Sequence, residues 1–186
     1  MKKLTHDQIA ENRSTLETIH KVSKLPVYVL LDSIRSSYNV GSIFRTSDGV
    51  MIEKLFLCGY TPHPPKSSSL PGRKEILKTA LGSTESVKWE YVKDPEDVIL
   101  ELKKVGVKIC ALELTNKSKR YYETCSKDFP LCLIVGNEIS GVSQRLIDLC
   151  DFSIDIPQFG IKQSLNVAVA YGIAIFELRK VFDLNI

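Results

Sequence analysis

Three groups of residues in this chain have the types and spacing needed for chemistry on a polar or charged ligand. The first is Asn39 and Arg45, which bracket Gly41 in the run Asn-Val-Gly-Ser-Ile-Phe-Arg. The second is Gly136-Asn137-Glu138, which closes an apolar run and is followed by Gly141. The third is Ser164-Leu165-Asn166, which follows Ile156-Pro157 and a loop through Gly160 and opens a long apolar segment. Each lies where a predicted strand ends or a predicted helix begins, the place where α/β proteins assemble ligand sites. Arginine stays charged at physiological pH, so Arg45 suits stabilising developing negative charge or gripping a phosphate with two bonds, and is a poor proton acceptor. Ser164, Asn166 and nearby helix-terminal amides suit adenine nitrogens and a carboxylate. An ordinary structural role competes with each assignment. Asn39 and Ser164 are good helix N-caps, Arg45 lies off the apolar face made by Val40, Ile43 and Phe44, and residues 136–143 could be a plain strand-to-helix turn capped by Ser140 or Ser143. Gly41 and Asn166 tilt the balance. A glycine in a first helical turn costs stability relative to alanine, and such a glycine often marks close approach of another backbone or a phosphate. A polar Asn166 in an apolar helix needs a polar partner.

These residues are positioned by alternating strands and helices. Strands are predicted at residues 25–31, 54–58, 87–92, 107–112, 131–135 and 152–156. Helices are predicted from an Asn39 cap to a Gly49 stop, at 75–81, from the Asp94-Pro95-Glu96 start to about 106, at 143–150 and at 164–181. Residues 61–73, rich in Pro and Ser, read as a loop. The alternation predicts an α/β fold, a mostly parallel sheet with helices on both faces and right-handed crossovers. A capping box at Thr5 and Gln8 starts a further helix to about residue 23, whose thin stripe of Ile9, Leu16, Ile19 and His20 suggests an arm packed on the surface. The expected organisation is therefore an arm over 1–24 and a single domain over 25–186. The final helix is apolar almost all round from 165 to 176, so it needs cover on both sides. The sheet is one cover; a second copy of the chain is favoured over a monomer core for the other.

With 186 residues, 44% hydrophobic and 25% charged, the chain can bury one full core and has ordinary globular composition. No apolar run reaches membrane-spanning length, and the start lacks a secretory h-region. Five cysteines without C-x-x-C spacing and the scattered His6, His20 and His63 point to a reduced, cytoplasmic protein with no metal site. The net charge of +3 identifies no partner, but Lys66, Arg73, Lys74 and Lys78, and again Lys117, Lys119 and Arg120, form local clusters of the kind phosphate binding uses. Solvated surface is the competing reading. The spacing of Gly136 and Gly141 fits neither a dinucleotide fingerprint nor a P-loop.

The order and wording of residues 39–45, 133–141 and 156–166, within a stretch over 25–182, resemble the SpoU-type (TrmH-like) RNA ribose methyltransferases of the SPOUT class. The resemblance implies a C-terminal deep trefoil knot, which no periodicity reveals. It also implies S-adenosyl-L-methionine as cofactor, methylation of a ribose 2′-hydroxyl in RNA, and a homodimer formed through the last helix. By motif match, Arg45, Asn39, Glu138, Ser164 and Asn166 are the implied catalytic residues. Leu112, Glu113, Gly136, Asn137, Ile156, Ser164, Leu165 and Asn166 are the implied cofactor-binding residues, with Gly136 leaving its backbone open to adenine. Ile139 and Phe159 stand where the family varies and could reshape the pocket edge. The short stretch before the first strand favours a compact enzyme acting on tRNA ahead of rRNA. A SPOUT base methyltransferase and a catalytically silent RNA-binding module are the alternatives; Asn39 with Arg45 favours ribose over base.

Overall fold

Seven parallel strands form the frame of the computed structural model, which describes residues 1–184 except 12, 16, 20–21 and 66–73. They are β1 (Leu25–Asp32), β2 (Ile52–Cys58), β3 (Trp89–Val92), β4 (Lys108–Leu112), β5 (Lys119–Arg120), β6 (Leu131–Val135) and β7 (Phe152–Asp155), in the order β3-β2-β1-β6-β4-β7-β5. Strand β6 is buried along its whole length and pairs with β1 and β4, as a run of five apolar residues requires. The helices are α1 (His6–Glu11), α2 (Ser37–Val50), α3 (Lys74–Ala80), α4 (Ser83–Ser86), α5 (Pro95–Lys104), α6 (Gln144–Ile147) and α7 (Val167–Asp183). Alternate residues of β1 divide the core in two. Val27, Val29 and Leu31 pack with Ile43 and Phe44 of α2 and Ile175 of α7. Leu30 packs on the opposite face with Ile99 and Leu102 of α5 and Leu146 of α6.

Several element ends differ from the sequence expectation. The Thr5–Gln8 capping box forms, with each backbone N–H bonded to the other side chain at 3.0 and 3.3 Å. However, α1 ends at Glu11 and none of its residues is buried. Beyond it, the backbone N–H groups of Thr15 and Thr18 are taken by each other's hydroxyls, a local alternative to helix. Leu16, His20, Lys66 and Arg73 lie outside the described residues. The N-cap of α2 is Ser36, whose Oγ accepts from Asn39 N at 3.3 Å, so Asn39 lies inside the helix. Gly49 is helical as well, and the left-handed stop is Met51 (φ 56°). The N-cap of α7 is Asn166, with Ser164 still in the preceding loop. Helix α6 is a single turn, and β5 forms where the sequence predicts no strand. A side chain at Gly41 would strike Thr79 and the Ile76 carbonyl of α3, so the close neighbour expected there is protein backbone.

Among the described residues, only one face of α7 is covered. Tyr171, Ala174, Ile175 and Leu178 are buried, and Tyr171 Oη shares a 2.7 Å hydrogen bond with Ser47 of α2. On the other side Val169 is 51% exposed and Phe176 55%.

Candidate active site

Because every strand runs the same way, the segments that follow β1, β2, β4, β6 and β7 gather at one edge of the sheet, and there they interlock. Thr61, after β2, donates from Oγ1 to the Leu31 carbonyl (3.1 Å) and accepts from Ile34 N–H (3.0 Å). Asn137, after β6, donates from Nδ2 to the Ser33 carbonyl (2.8 Å) and to Tyr60 Oη (2.6 Å). Its Oδ1 accepts from the N–H groups of Ile139 (2.9 Å) and Ser140 (3.1 Å). The backbones of Asn137 and Gly141 exchange two hydrogen bonds and close a tight turn. Gly136 lies beneath this turn, and a side chain there would collide with the Gly141 and Val142 backbone. The absent side chain at Gly136 thus lets the turn pack directly on the end of β6, while Gly136 itself still borders open space. Glu113, after β4, holds the far side of the turn: Oε2 accepts from Val142 N–H (2.9 Å) and Oε1 from Leu114 N–H (3.0 Å).

This turn delivers Glu138 to the amino end of α2. Its carboxylate accepts from Arg35 N–H (2.8 Å), Ser36 N–H (3.0 Å) and Asn39 Nδ2 (2.9 Å). Burial acts to raise the Glu138 pKa, but the hydrogen bonds from Arg35 N–H, the Asn39 amide and Ser36 N–H outweigh it and hold the carboxyl below the usual glutamate range. A helix amino terminus favours the anion in the same way. Glu138 is thus ionised at neutral pH and weakly basic, which suits a positioning role and not proton abstraction. Asn39 Oδ1 in turn accepts from Asn166 Nδ2 (3.2 Å), while Asn166 Oδ1 caps Ala168 and Val169 of α7. One hydrogen-bonded chain, Glu138–Asn39–Asn166, therefore joins three segments that are remote in sequence.

A cleft of about 690 Å³ opens beside this chain, within the range of small-molecule sites. Leu112, Glu113, Gly136, Asn137, Glu138, Ile156, Ser164 and Leu165 all line it. Asn39 and Asn166 are not among its lining residues, their side chains being turned to each other and to Glu138. Arg45 is exposed on α2, about 9 Å along the helix axis from Asn39, and is not a lining residue. Among the described residues its side chain has no hydrogen bond or ion pair. Ile139 and Phe159 are exposed at the cleft's margin. Sequence reasoning missed Ser36, Tyr60 and Thr61. A serine three residues before Asn39 is a cap signal that could have found Ser36; nothing local marks the other two.

The second basic cluster has a structural role. Lys119 pairs with Asp128 (2.8 Å) and lies over the Phe152 ring, and Arg120 bonds both oxygens of Asp155 (2.9 and 2.7 Å), fastening β5 to β7. Lys74, Lys78 and Lys117 are exposed. Among the described residues, no group of three or more His, Cys, Asp or Glu could hold a metal ion, and no helix is long and apolar enough to cross a membrane.

Glu138→Gln tests the latch. The substituted amide turns an N–H donor toward other donors, and the variant should lose about 1–2 kcal/mol at neutral pH, the low end for a charge-assisted bond because the site is half open to water. The native carboxyl has a lowered pKa, so its stabilisation is full above the ordinary glutamate pKa of about 4.3 and disappears as pH falls through the lowered value. Urea unfolding at a series of pH values should show a constant gap between the two proteins from neutral pH down to that region, then convergence. Equal stability at neutral pH contradicts the latch.

A profile of the SpoU rRNA Methylase family matches residues 26–176, and the chain belongs to that family. It is 34% identical over 166 residues to the tRNA (guanosine(18)-2'-O)-methyltransferase of Aquifex aeolicus, a match covering 88% of this chain and 73% of that protein. Its fold is similar to the crystal structure of the A. aeolicus TrmH/SpoU tRNA modifying enzyme (TM-score 0.77, 29% identity, 91% of this chain and 83% of that one). It is also similar to the AdoMet-bound rRNA methyltransferase from Sinorhizobium meliloti (TM-score 0.73, 29% identity, 87% and 59%). Further curated relatives are longer, and the chain spans 59–62% of their length.

Proposed function

We propose that this chain transfers a methyl group from S-adenosyl-L-methionine to a ribose 2′-hydroxyl in RNA, with tRNA preferred over rRNA. The observation that carries the reading is the Glu138–Asn39–Asn166 chain beside a cleft of cofactor size, in a member of the SpoU family. The Aquifex relative named for tRNA guanosine 2'-O-methylation supports the ribose and tRNA choice, and the AdoMet-bound Sinorhizobium structure supports the cofactor.

The residues present fit that cofactor. Leu112, Ile156 and Leu165 give apolar walls for a flat adenine, while the carboxylates of Glu113 and Glu138 suit the positive end. When bound, the cofactor supplies a methyl on a positive sulfur, already activated for in-line displacement. Gly136 and Asn137 shape the turn under it, and Ser164 and Asn166 bring the amino end of α7 to it. Asn39, fixed by Glu138 on one side and Asn166 on the other, orients the ribose. Arg45 stabilises negative charge developing on the ribose oxygen and holds the neighbouring phosphate. The 2′-hydroxyl itself selects RNA over DNA.

Arg45 reaches that position in a homodimer. The uncovered apolar side of α7, with Val169 and Phe176, lies beside the α2 face that carries Arg45: a side chain added at Gly49, one turn beyond Arg45, would lie 3.9 Å from Phe176. A second copy seated there covers the apolar face and carries Arg45 out of bulk solvent. Phe176→Asp should convert a dimer to monomer in sedimentation and remove most methyl transfer; a dimeric, active variant contradicts this arrangement. The knot, the division into an arm over 1–24 and a domain over 25–186, and a cytoplasmic location belong to the same reading. The family's solved structures support the knot.

The test of function is incubation of methyl-labelled cofactor with separated tRNA and rRNA. Label in tRNA is expected. Label confined to rRNA overturns the preference, and RNA binding with label in neither fraction points to the silent binding module.

A further inference from the structure

Tyr60 and Tyr91 are inverted for surface tyrosines. A tyrosine at a protein surface usually buries its ring and keeps its hydroxyl in water. Here the hydroxyls point inward: Tyr60 Oη accepts from Asn137 Nδ2 (2.6 Å), and Tyr91 Oη donates to the Gly59 carbonyl (2.8 Å). The residues themselves are 64% and 38% exposed. Water-accessible rings tethered by their polar tips leave flat apolar faces presented and already ordered. The backing is rigid. His63 packs 5.4 Å from Tyr91 and stacks on Trp89 at 17° to parallel, and Trp89 meets Phe44 of α2 edge-on.

The shelf is continuous with the candidate active site. Asn137, which tethers Tyr60, directly precedes Glu138 in the turn. Cations flank it. Arg35, whose N–H is bound by Glu138, is exposed, as is Lys93, whose carbonyl accepts from Gly59 N–H (3.2 Å). Of the acids nearest the end of β2, Glu90 pairs with Lys54 and Asp94 with Arg145, while Asp32 at the end of β1 is buried.

We propose that Tyr60 and Tyr91 form a stacking shelf for an unpaired base of the RNA substrate, next to the nucleotide whose ribose enters the cleft. The proposal rests on the RNA methyltransferase reading. Any nucleobase offers a face to stack, and flanking cations meet its phosphates, so the shelf holds single-stranded substrate in register without reading sequence.

The test compares wild type with Tyr60→Leu, which keeps apolar bulk but loses the flat ring, and with Tyr60→Phe, which loses only the tether. The probes are a short unstructured single-stranded RNA and an abasic-ribose oligomer of the same length, read by fluorescence anisotropy. Tyr60→Leu should weaken binding of the base-bearing RNA by about tenfold, the cost of losing one stacked base. It should leave binding of the abasic oligomer unchanged, and Tyr60→Phe should lose less of the base-bearing RNA. Both variants lose the bond to Asn137, so any change in S-adenosyl-L-methionine affinity, measured by calorimetry, should be the same in the two. Equal binding of the base-bearing RNA by wild type and Tyr60→Leu overturns the shelf, as does an equal loss on both oligomers, the mark of a merely structural role. The two readings fail separately. A wild type that prefers bases but transfers no methyl refutes the enzyme and leaves the shelf. A methyl-transferring wild type whose Tyr60→Leu variant binds normally refutes the shelf alone.

Discussion

Arg45→Ala should lower methyl transfer by about 10²–10³-fold and leave cofactor affinity unchanged, the loss typical of removing one preorganised charge-stabilising donor. Arg120, Arg145 and Arg179 are each engaged with carboxylates, whereas Arg45 has no partner among the described residues. Removing a side chain that is exposed and unpaired within one chain should change that chain's stability by no more than about 0.5 kcal/mol, so a lost rate in a variant that still sediments as the wild type does reads as lost function. Arg45→Lys should recover little, because an ammonium does not reproduce a two-pronged grip on oxygen. Rates at saturating RNA, with calorimetry of cofactor binding, check this. An Arg45→Ala enzyme with normal turnover removes Arg45 from the mechanism.

Gly136→Ala should have the largest structural effect near the site. The added carbon meets Val142 N and the Gly141 carbonyl group, all main-chain atoms, so no flexible side chain can swing away. The turn must open. That pulls Val142 N–H from Glu113, parts the paired backbones of Asn137 and Gly141, and shifts Glu138 from the end of α2. Forced overpacking of this kind costs about 1–3 kcal/mol, and each kcal/mol lowers the melting temperature of a domain this size by about 2–4 °C. Cofactor affinity should fall by more than about tenfold, since every residue of the turn lines the cleft. Gly160→Ala is the matched control: a carbon there meets nothing within 4 Å, and its melting temperature should equal that of wild type. A Gly136→Ala protein with native melting and affinity contradicts the account of the turn.

What the sequence made legible were features whose cause is local. Strand β6 could be read because five consecutive apolar residues have nowhere to go but the centre of a parallel sheet, and the start of α5 because Asp94 and Pro95 set a cap and a first turn together. The ends of α2 and α7 were misplaced because two good caps stood close together in each. Ser36 rather than Asn39 caps α2, freeing the Asn39 amide for Glu138, 99 positions away; Asn166 rather than Ser164 caps α7 and meets Asn39 across 127 positions. Such choices are made by tertiary partners that propensity does not see. Lys119 and Arg120 looked like free cations for the same reason, since Asp128 and Asp155 come to them only in the fold. The motif residues were recognisable as a set, but their division of labour was not. Asn137 binds its own chain as much as it lines the cleft, Asn166 is turned to Asn39 and the first turn of α7, and Arg45 stands apart from the cleft within the chain.

The most direct test of the central claim is the position of the transferred methyl. RNA incubated with this protein and methyl-labelled S-adenosyl-L-methionine is hydrolysed in alkali and the products separated. A methylated 2′-oxygen has no free hydroxyl to attack the adjacent phosphate, so the account predicts label in alkali-resistant dinucleotides. Label recovered only in mononucleotides, on a methylated base, would contradict it.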